Sequence, residues 1–202
     1  MKKVLFFLTL LIVLLASSAV ADEWKNYHID DYVFMLPDSY PIIHKGMPKD
    51  SLILKDTGLD LEQAEMLLDL YEAKTIFYTD DYSCTASITK IPAQGSMDYE
   101  LLSDDEFNER LKFYEDDYDS VLGNIGEYTI NDLMVTYAPT DFAKYIFVAS
   151  SVSFSSYTSF SLQVITVKNG YQTVITFSTE DSNKMVEYND TFFSIISNLV
   201  IL

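Results

Sequence analysis

Two periodicities divide this chain. Between Glu127 and Thr179 the pattern turns to strands, predicted over 127–137, 144–154, 159–168 and 171–179. The last two are joined by Asn169-Gly170, and a two-residue type I′ turn needs positive φ at both positions, so a tight hairpin is expected there. Tyr171, Thr173, Ile175 and Phe177 alternate with Gln172, Val174 and Thr176, which leaves both faces partly apolar. Shorter strands are expected over 24–29 and 32–36 around Asp30-Asp31, and over 75–79 and 83–91 around Asp80-Asp81. Pro37 and Pro41 bracket an irregular exit, since neither can donate to a ladder.

Helical spacing appears in three places. Asp60-Leu61-Glu62-Gln63 has the form of a capping box, and Leu61, Ala64, Leu67, Leu68 and Tyr71 then make one apolar stripe, predicting a helix to about Glu72. Ser103-Asp104-Asp105-Glu106 repeats the cap ahead of Phe107, Leu111, Tyr114 and Tyr118, a helix that should end before Gly123. Met185, Tyr188, Phe192, Ile195, Ile196 and Leu199 form the stripe of a closing helix. Hairpin-linked strands interrupted by helices, with no regular βαβ alternation, predict an α+β fold: a central antiparallel sheet flanked by helices.

The start of the chain has a different pattern. Lys2 and Lys3 precede the apolar run 4–15, and the small residues of 16–21 end in Ala19-Val20-Ala21. That is the design of a secretory signal peptide over residues 1–21, cleaved before Asp22; the run is too short to be a comfortable membrane anchor. Residues 22–202 are then expected to form a single secreted, extracytoplasmic domain, without stable membrane insertion after cleavage. Loss of Lys2 and Lys3 takes the formal charge from −18 to −20. Such a field repels nucleic acid and other polyanions and attracts cations and basic proteins. Cys84 is the only cysteine, so no intramolecular disulfide can form. It alternates with Ala86 and Ile88, which predicts a small buried hydrophobe and not a reactive thiol.

The hairpin turn Val167-Lys168-Asn169-Gly170-Tyr171, the strand Val174-Ile175-Thr176-Phe177-Ser178, the terminal helix ending Phe193-Ser194-Ile195-Ile196-Ser197-Asn198-Leu199 and the opening strand Tyr32-Val33-Phe34-Met35-Leu36-Pro37 together resemble Mog1/PsbP-like proteins, exported bacterial members among them. The resemblance implies an α/β/α sandwich and an auxiliary or binding role, generally without catalysis. It carries over no functional residue.

Candidate chemistry is sparse. Leu52-Ile53-Leu54-Lys55-Asp56-Thr57-Gly58 resembles the catalytic strand of aspartic proteases, so Asp56 is the one catalytic candidate. That chemistry needs two such carboxylates sharing a proton, and a single Asp-Thr-Gly could supply them only in a homodimer. A turn leading to the cap at Asp60 is the simpler reading. His28 and His44 are the only histidines, which excludes a three-histidine zinc site. Acidic pairs and triplets at 30–31, 80–81, 104–106 and 115–117 suit Ca²⁺ in ligand type, but none has calcium-loop spacing. Tyr78, Tyr82 and Tyr99 could build an aromatic sugar-binding surface, but strand packing is the favoured explanation of the tyrosines. The function expected is a non-catalytic exported binding or accessory module, with no resident cofactor, whose partner is a protein, a basic one included, or a small ligand in a cleft between sheet and helix. A carboxylate-dependent extracytoplasmic hydrolase and a structural surface protein are the alternatives. Expressed at full length in a bacterial host, the protein should be recovered outside the cytoplasmic membrane with Asp22 as its first residue; cytosolic recovery with Met1 intact would contradict the signal reading.

Overall fold

A computed structural model describes residues 23–93, 95–122, 127–139 and 144–202. The expected signal segment, 1–21, lies outside the described residues. Strands are β1 (Trp24–Ile29), β2 (Tyr32–Pro37), β3 (Ile42–His44), β4 (Ala73–Tyr78), β5 (Thr85–Pro92), β6 (Thr129–Pro139), β7 (Lys144–Ser153), β8 (Thr158–Lys168), β9 (Tyr171–Thr179) and β10 (Val200–Ile201). Helices are α1 (Leu52–Thr57), α2 (Leu61–Leu70), α3 (Asp104–Asp116), α4 (Tyr118–Leu122), α5 (Ser182–Glu187) and α6 (Asn189–Ser197), with a 3₁₀ turn at Tyr99–Leu101. The large sheet has seven antiparallel strands in the order β3-β4-β5-β9-β8-β7-β6, and β1-β2-β10 form a second, smaller sheet.

Register comes from the turns. Asn169 and Gly170 have φ of 53° and 75°, the type I′ conformation expected of that pair, and they lock β8 to β9 from Lys168↔Tyr171 to Phe160↔Thr179. Because side chains alternate, this register sends Thr173, Ile175 and Phe177 to one face and Val174, Thr176 and Ser178 to the other.

The first face is sealed. β2 contributes Tyr32, Phe34 and Leu36, and α6 contributes Phe192, Ile195 and Ile196, to one core with Phe77, Ile88, Val164, Ile175 and Phe177 of the large sheet. Phe177 stacks on Phe192 at 4.2 Å between ring centroids, and Phe34 reaches Phe77 at 6.4 Å. Cys84 is buried here, beside Ala86 and Ile88 as the alternation predicted, and burial pushes its thiol pKa up.

Among the described residues, the opposite face is covered only at its ends. At one end α3, α4 and the 3₁₀ turn lay Tyr99, Phe107, Tyr114 and Tyr118 on Ile146, Val148, Ile165 and Val167. At the other, α1 and α2 pack Ile53, Leu54, Ala64 and Leu68 on Ile43 and Ile76. The burial pattern records the difference. β7 is buried on both faces for eight consecutive residues, whereas β9 alternates buried and half-buried along most of its length.

Several local expectations change. The segment 52–57, which could read as a protease-like apolar strand, is a helix ended by Gly58 at φ 70°. The closing helix is two helices hinged at Tyr188, whose φ of −92° and ψ of 1° end α5 and start α6. The helix after Ser103 likewise breaks at Asp117 before resuming as α4. β3 and β10 are too short to carry a periodicity of their own. Both predicted capping boxes are present, at Asp60/Gln63 and Ser103/Glu106.

Phe177→Ala should cost about 3–5 kcal/mol, because the ring is fully buried between two aromatic neighbours. Urea unfolding monitored by circular dichroism checks this, and a loss below about 1 kcal/mol would contradict the packing.

Candidate functional site

Among the described residues, half-cover of the second face leaves a strip of sheet uncovered between the two groups of helices. Its floor is read directly from the register. One row across the strands runs Tyr78, Thr85, Ser178, Ser161, Ser150, and the next runs Ile76, Ser87, Thr176, Gln163, Val148. Thr85, Ser87, Thr176, Ser178, Ser161 and Gln163 are all half-buried, while their strand neighbours Ala86, Ile175, Phe177 and Leu162 are buried. The floor is therefore hydroxyl and amide. Toward α4 it closes with a hydrogen-bonded chain, Tyr118 hydroxyl to Ser150 Oγ at 2.8 Å and on to Ser161 Oγ at 2.8 Å.

The flanks are acidic. Residues 104–119, spanning α3 and the start of α4, carry eight carboxylates against two cations, and α2 adds Glu62, Glu65 and Asp69. Asp104, Asp105 and Glu106 occupy the first turn of α3, where the helix dipole favours negative charge.

At the α2 end stands a tyrosine cluster. Tyr78 and Tyr82 lie with ring centroids 5.7 Å apart, and Tyr71 is close enough to Tyr78 to help raise its hydroxyl pKa, after burial. Tyr71 was expected on the buried stripe of α2; it falls at the C-cap, where the chain leaves the helix, and is 61% exposed. Tyr99 takes no part: it is buried against Phe107 in the core under α3. Asp56, on α1, lies beside Tyr82 and, after burial, raises that hydroxyl's pKa. The Asp-Thr-Gly segment thus brings its carboxylate to a tyrosine on a helix and not to the end of a strand.

Tyr82 has φ of 58°, a left-handed conformation that costs a bulky residue on the order of 1 kcal/mol or more. The β4–β5 turn holds it there. Asp81 Oδ1 accepts from Thr79 Oγ1 at 2.8 Å, Ser83 N at 2.9 Å and Ser83 Oγ at 2.6 Å, and Lys184 of α5 reaches Oδ2 at 2.8 Å. Asp80 accepts from the Tyr188 hydroxyl at 3.0 Å. Lys184 first, then the Ser83 hydroxyl, hold the Asp81 carboxyl well below the usual carboxylate range, and Lys184 is correspondingly raised.

A separate cleft of about 280 Å³ lies between the β1–β2 hairpin and α2. It gathers both histidines: His28 and Asp30 come from β1 and its turn, His44 and Lys45 from the end of β3. Glu65 and Asp69 of α2 and Lys74 of β4 complete a mixed-charge lining, with Lys74 paired to Asp30 at 3.2 Å. Cys84 lies in the sealed core and does not line this cleft. Among the described residues no three histidine, cysteine or carboxylate side chains converge as a metal site would require, and no helix is long and apolar enough to cross a membrane.

Comparison with solved structures follows from this architecture. The solution structure of cyanobacterial PsbP (CyanoP) from Synechocystis sp. PCC 6803 superposes with a TM-score of 0.54 at 13% identity, over 93% of this chain and 99% of that one. The chain has a Mog1/PsbP-like fold. The Ran-binding protein Mog1p of Saccharomyces cerevisiae matches at 5% identity and a TM-score of 0.46, over 90% of this chain and 96% of that one. No protein-family model matches, and no curated protein matches in sequence.

The lowered pKa of Asp81 fixes a pH dependence. Its contribution to stability is complete above the unfolded-state value near 4 and drains away as pH falls from there toward the lower native value. Asp81→Asn should therefore melt below the wild type at pH 7 and lose less stability between pH 4 and pH 2.5. Thermal melts of both proteins across that range check it; parallel curves would contradict the role given to Asp81.

Proposed function

We propose that the chain is an exported, non-catalytic accessory module of one domain, acting outside the cytoplasmic membrane by holding a partner protein on the open strip of its large sheet. The observation that carries this reading is the alternation along β5 and β9, where one face is sealed and the other stays only half-buried between acidic helices. A sheet buried on both faces, as β7 is, would offer nothing comparable. The floor of hydroxyl and amide groups supplies hydrogen-bonding positions in two rows, and the acidic flanks favour a basic partner. The amphoteric cleft beside α2 favours a second, smaller ligand, because cationic and anionic side chains face each other across it.

Residues 1–21 fit the export half of the proposal, and the fold shared with CyanoP is compatible with it. Site-specific photo-crosslinking in the native host tests the binding half. A photoreactive side chain at Thr176 or Gln163 should give one discrete protein adduct, and the same group at Ser197, exposed at the end of α6, should give none. Equal labelling at all three positions, or no adduct at the strip, would overturn the reading.

A further inference from the structure

Three lysines of this chain are seated in the same way, each between a carboxylate and the face of an aromatic ring. Lys90 pairs with Asp31 and lies 4.3 Å from the centre of the Tyr171 ring. Lys144 is 3.5 Å from Asp104 and 5.4 Å from the Phe107 ring. Lys184 is 2.8 Å from Asp81 and 5.5 Å from the Tyr188 ring. The arrangement is physically sensible in so acidic a chain, since the ring quadrupole and the carboxylate attract the same ammonium.

The Tyr71, Tyr78 and Tyr82 cluster with Asp56 repeats the ring-and-carboxylate half of that arrangement. Among the described residues no lysine or arginine lies over any of these three rings. Lys74, between Tyr71 and Tyr78 in sequence, pairs instead with Asp30 at 3.2 Å, and Lys55, next to Asp56, lines a different shallow depression with Lys49, Asp60 and Glu62. Two of the rings are open, Tyr71 at 61% and Tyr82 at 42% exposure. Tyr82 is moreover kept in the left-handed region at a position where glycine would be unstrained, by a turn tied down through four contacts to Asp81. Core packing does not require a ring there.

We infer that this cluster is a cation seat completed from outside, taking an arginine or lysine side chain of the basic partner, with Asp56 as the counter-charge and Tyr82 and Tyr78 as the ring face. The inference rests on the accessory-module reading and places its electrostatic anchor at the α2 end of the strip. The tyrosine at Tyr78 shares a cross-strand row with Thr85, Ser178 and Ser161, so a chain anchored at the cluster continues directly onto the hydroxyl floor. Charge decides the class of ligand: a chain with 31 acidic and 13 basic residues draws a cationic peptide more strongly than a neutral glycan.

The probe is a short capped peptide with two arginines, titrated into the mature protein by NMR alongside the same peptide with citrulline in both places. The arginine peptide should shift resonances of Asp56, Tyr71, Tyr78 and Tyr82 and bind at least about fivefold more tightly than the citrulline form, with affinity falling as salt rises. Asp56→Asn and Tyr82→Gly should each weaken it about fivefold. Tyr82→Gly should melt at or above the wild-type temperature, because glycine adopts this φ freely, so its loss of binding cannot be a loss of fold. Absence of binding at millimolar peptide, equal affinity for both peptides, unchanged affinity in both variants, or tighter binding of a neutral chito-oligosaccharide would each overturn the inference. The crosslinks at Thr176 and Gln163 are read independently, so a failed cation seat leaves the strip as the partner surface, and a silent strip removes both.

Discussion

Burial of one face of the large sheet against α5, α6 and the small sheet is the interaction on which the rest of the structure depends. It draws on β2, α5, α6 and β10 as well as five strands of the large sheet, so segments from both ends of the described chain meet in one core. Phe177, packed between Phe77 and Phe192, marks its centre. At about 25 cal/mol for each Å² of apolar surface removed from water, rings of this size are the largest single contributions available to a chain that has no disulfide.

With that face sealed, the other is free to be incomplete. Helices cap it where the strands supply Ile146, Val148, Ile165 and Val167, and again where they supply Ile43 and Ile76. Between these patches the strands carry Ser87, Thr89, Thr176 and Gln163, which offer a helix little to bury. The gap is therefore written into the strand composition and does not depend on where the helices happen to stop. The turn between β4 and β5 completes the design: Asp81 and Asp80 fasten it to α5 and to Tyr188, so the strand pair bordering the gap is tied to the sealed side of the molecule. Rigid fastening on one face is what allows a strained, exposed tyrosine on the other.

Much of this was legible in the chain before any coordinates. The Asn169-Gly170 turn, the four late strands, both capping boxes and the burial of Cys84 follow from local chemistry, and the likeness to Mog1/PsbP-like proteins implied the sandwich. Where the reading went astray, the cause is equally physical. β3 and β10 have three and two residues, and pair because β4 and β2 lie beside them, a tertiary effect with no local signal. The break at Tyr188 is hidden because α5 and α6 both turn their apolar residues to the same core. Leu52–Thr57 is apolar enough to pass for a strand, but it is a helix whose Ile53 and Leu54 pack with Ala64 and Leu68 of α2 and which Gly58 ends in the left-handed region. The tyrosine cluster is half visible in the sequence: Tyr78 and Tyr82 stand among the candidates for an aromatic surface and lie together, whereas Tyr99 packs in the core and Tyr71, on the apolar stripe of α2, is exposed. The left-handed turn that presents Tyr82 gave no warning, since Asp-Asp-Tyr-Ser lacks the glycine that usually marks such a position.

The central claim, one sealed face and one face open in the middle, can be measured along a single strand. Cysteines introduced one at a time from 173 to 178, beside the buried Cys84, would be reacted with a thiol reagent under native conditions. Rapid labelling at 176 and 178, with protection at 173, 175 and 177 until the protein unfolds, is the predicted result. Uniform protection along β9 would show that the second face is covered, and the account of the open strip would be wrong.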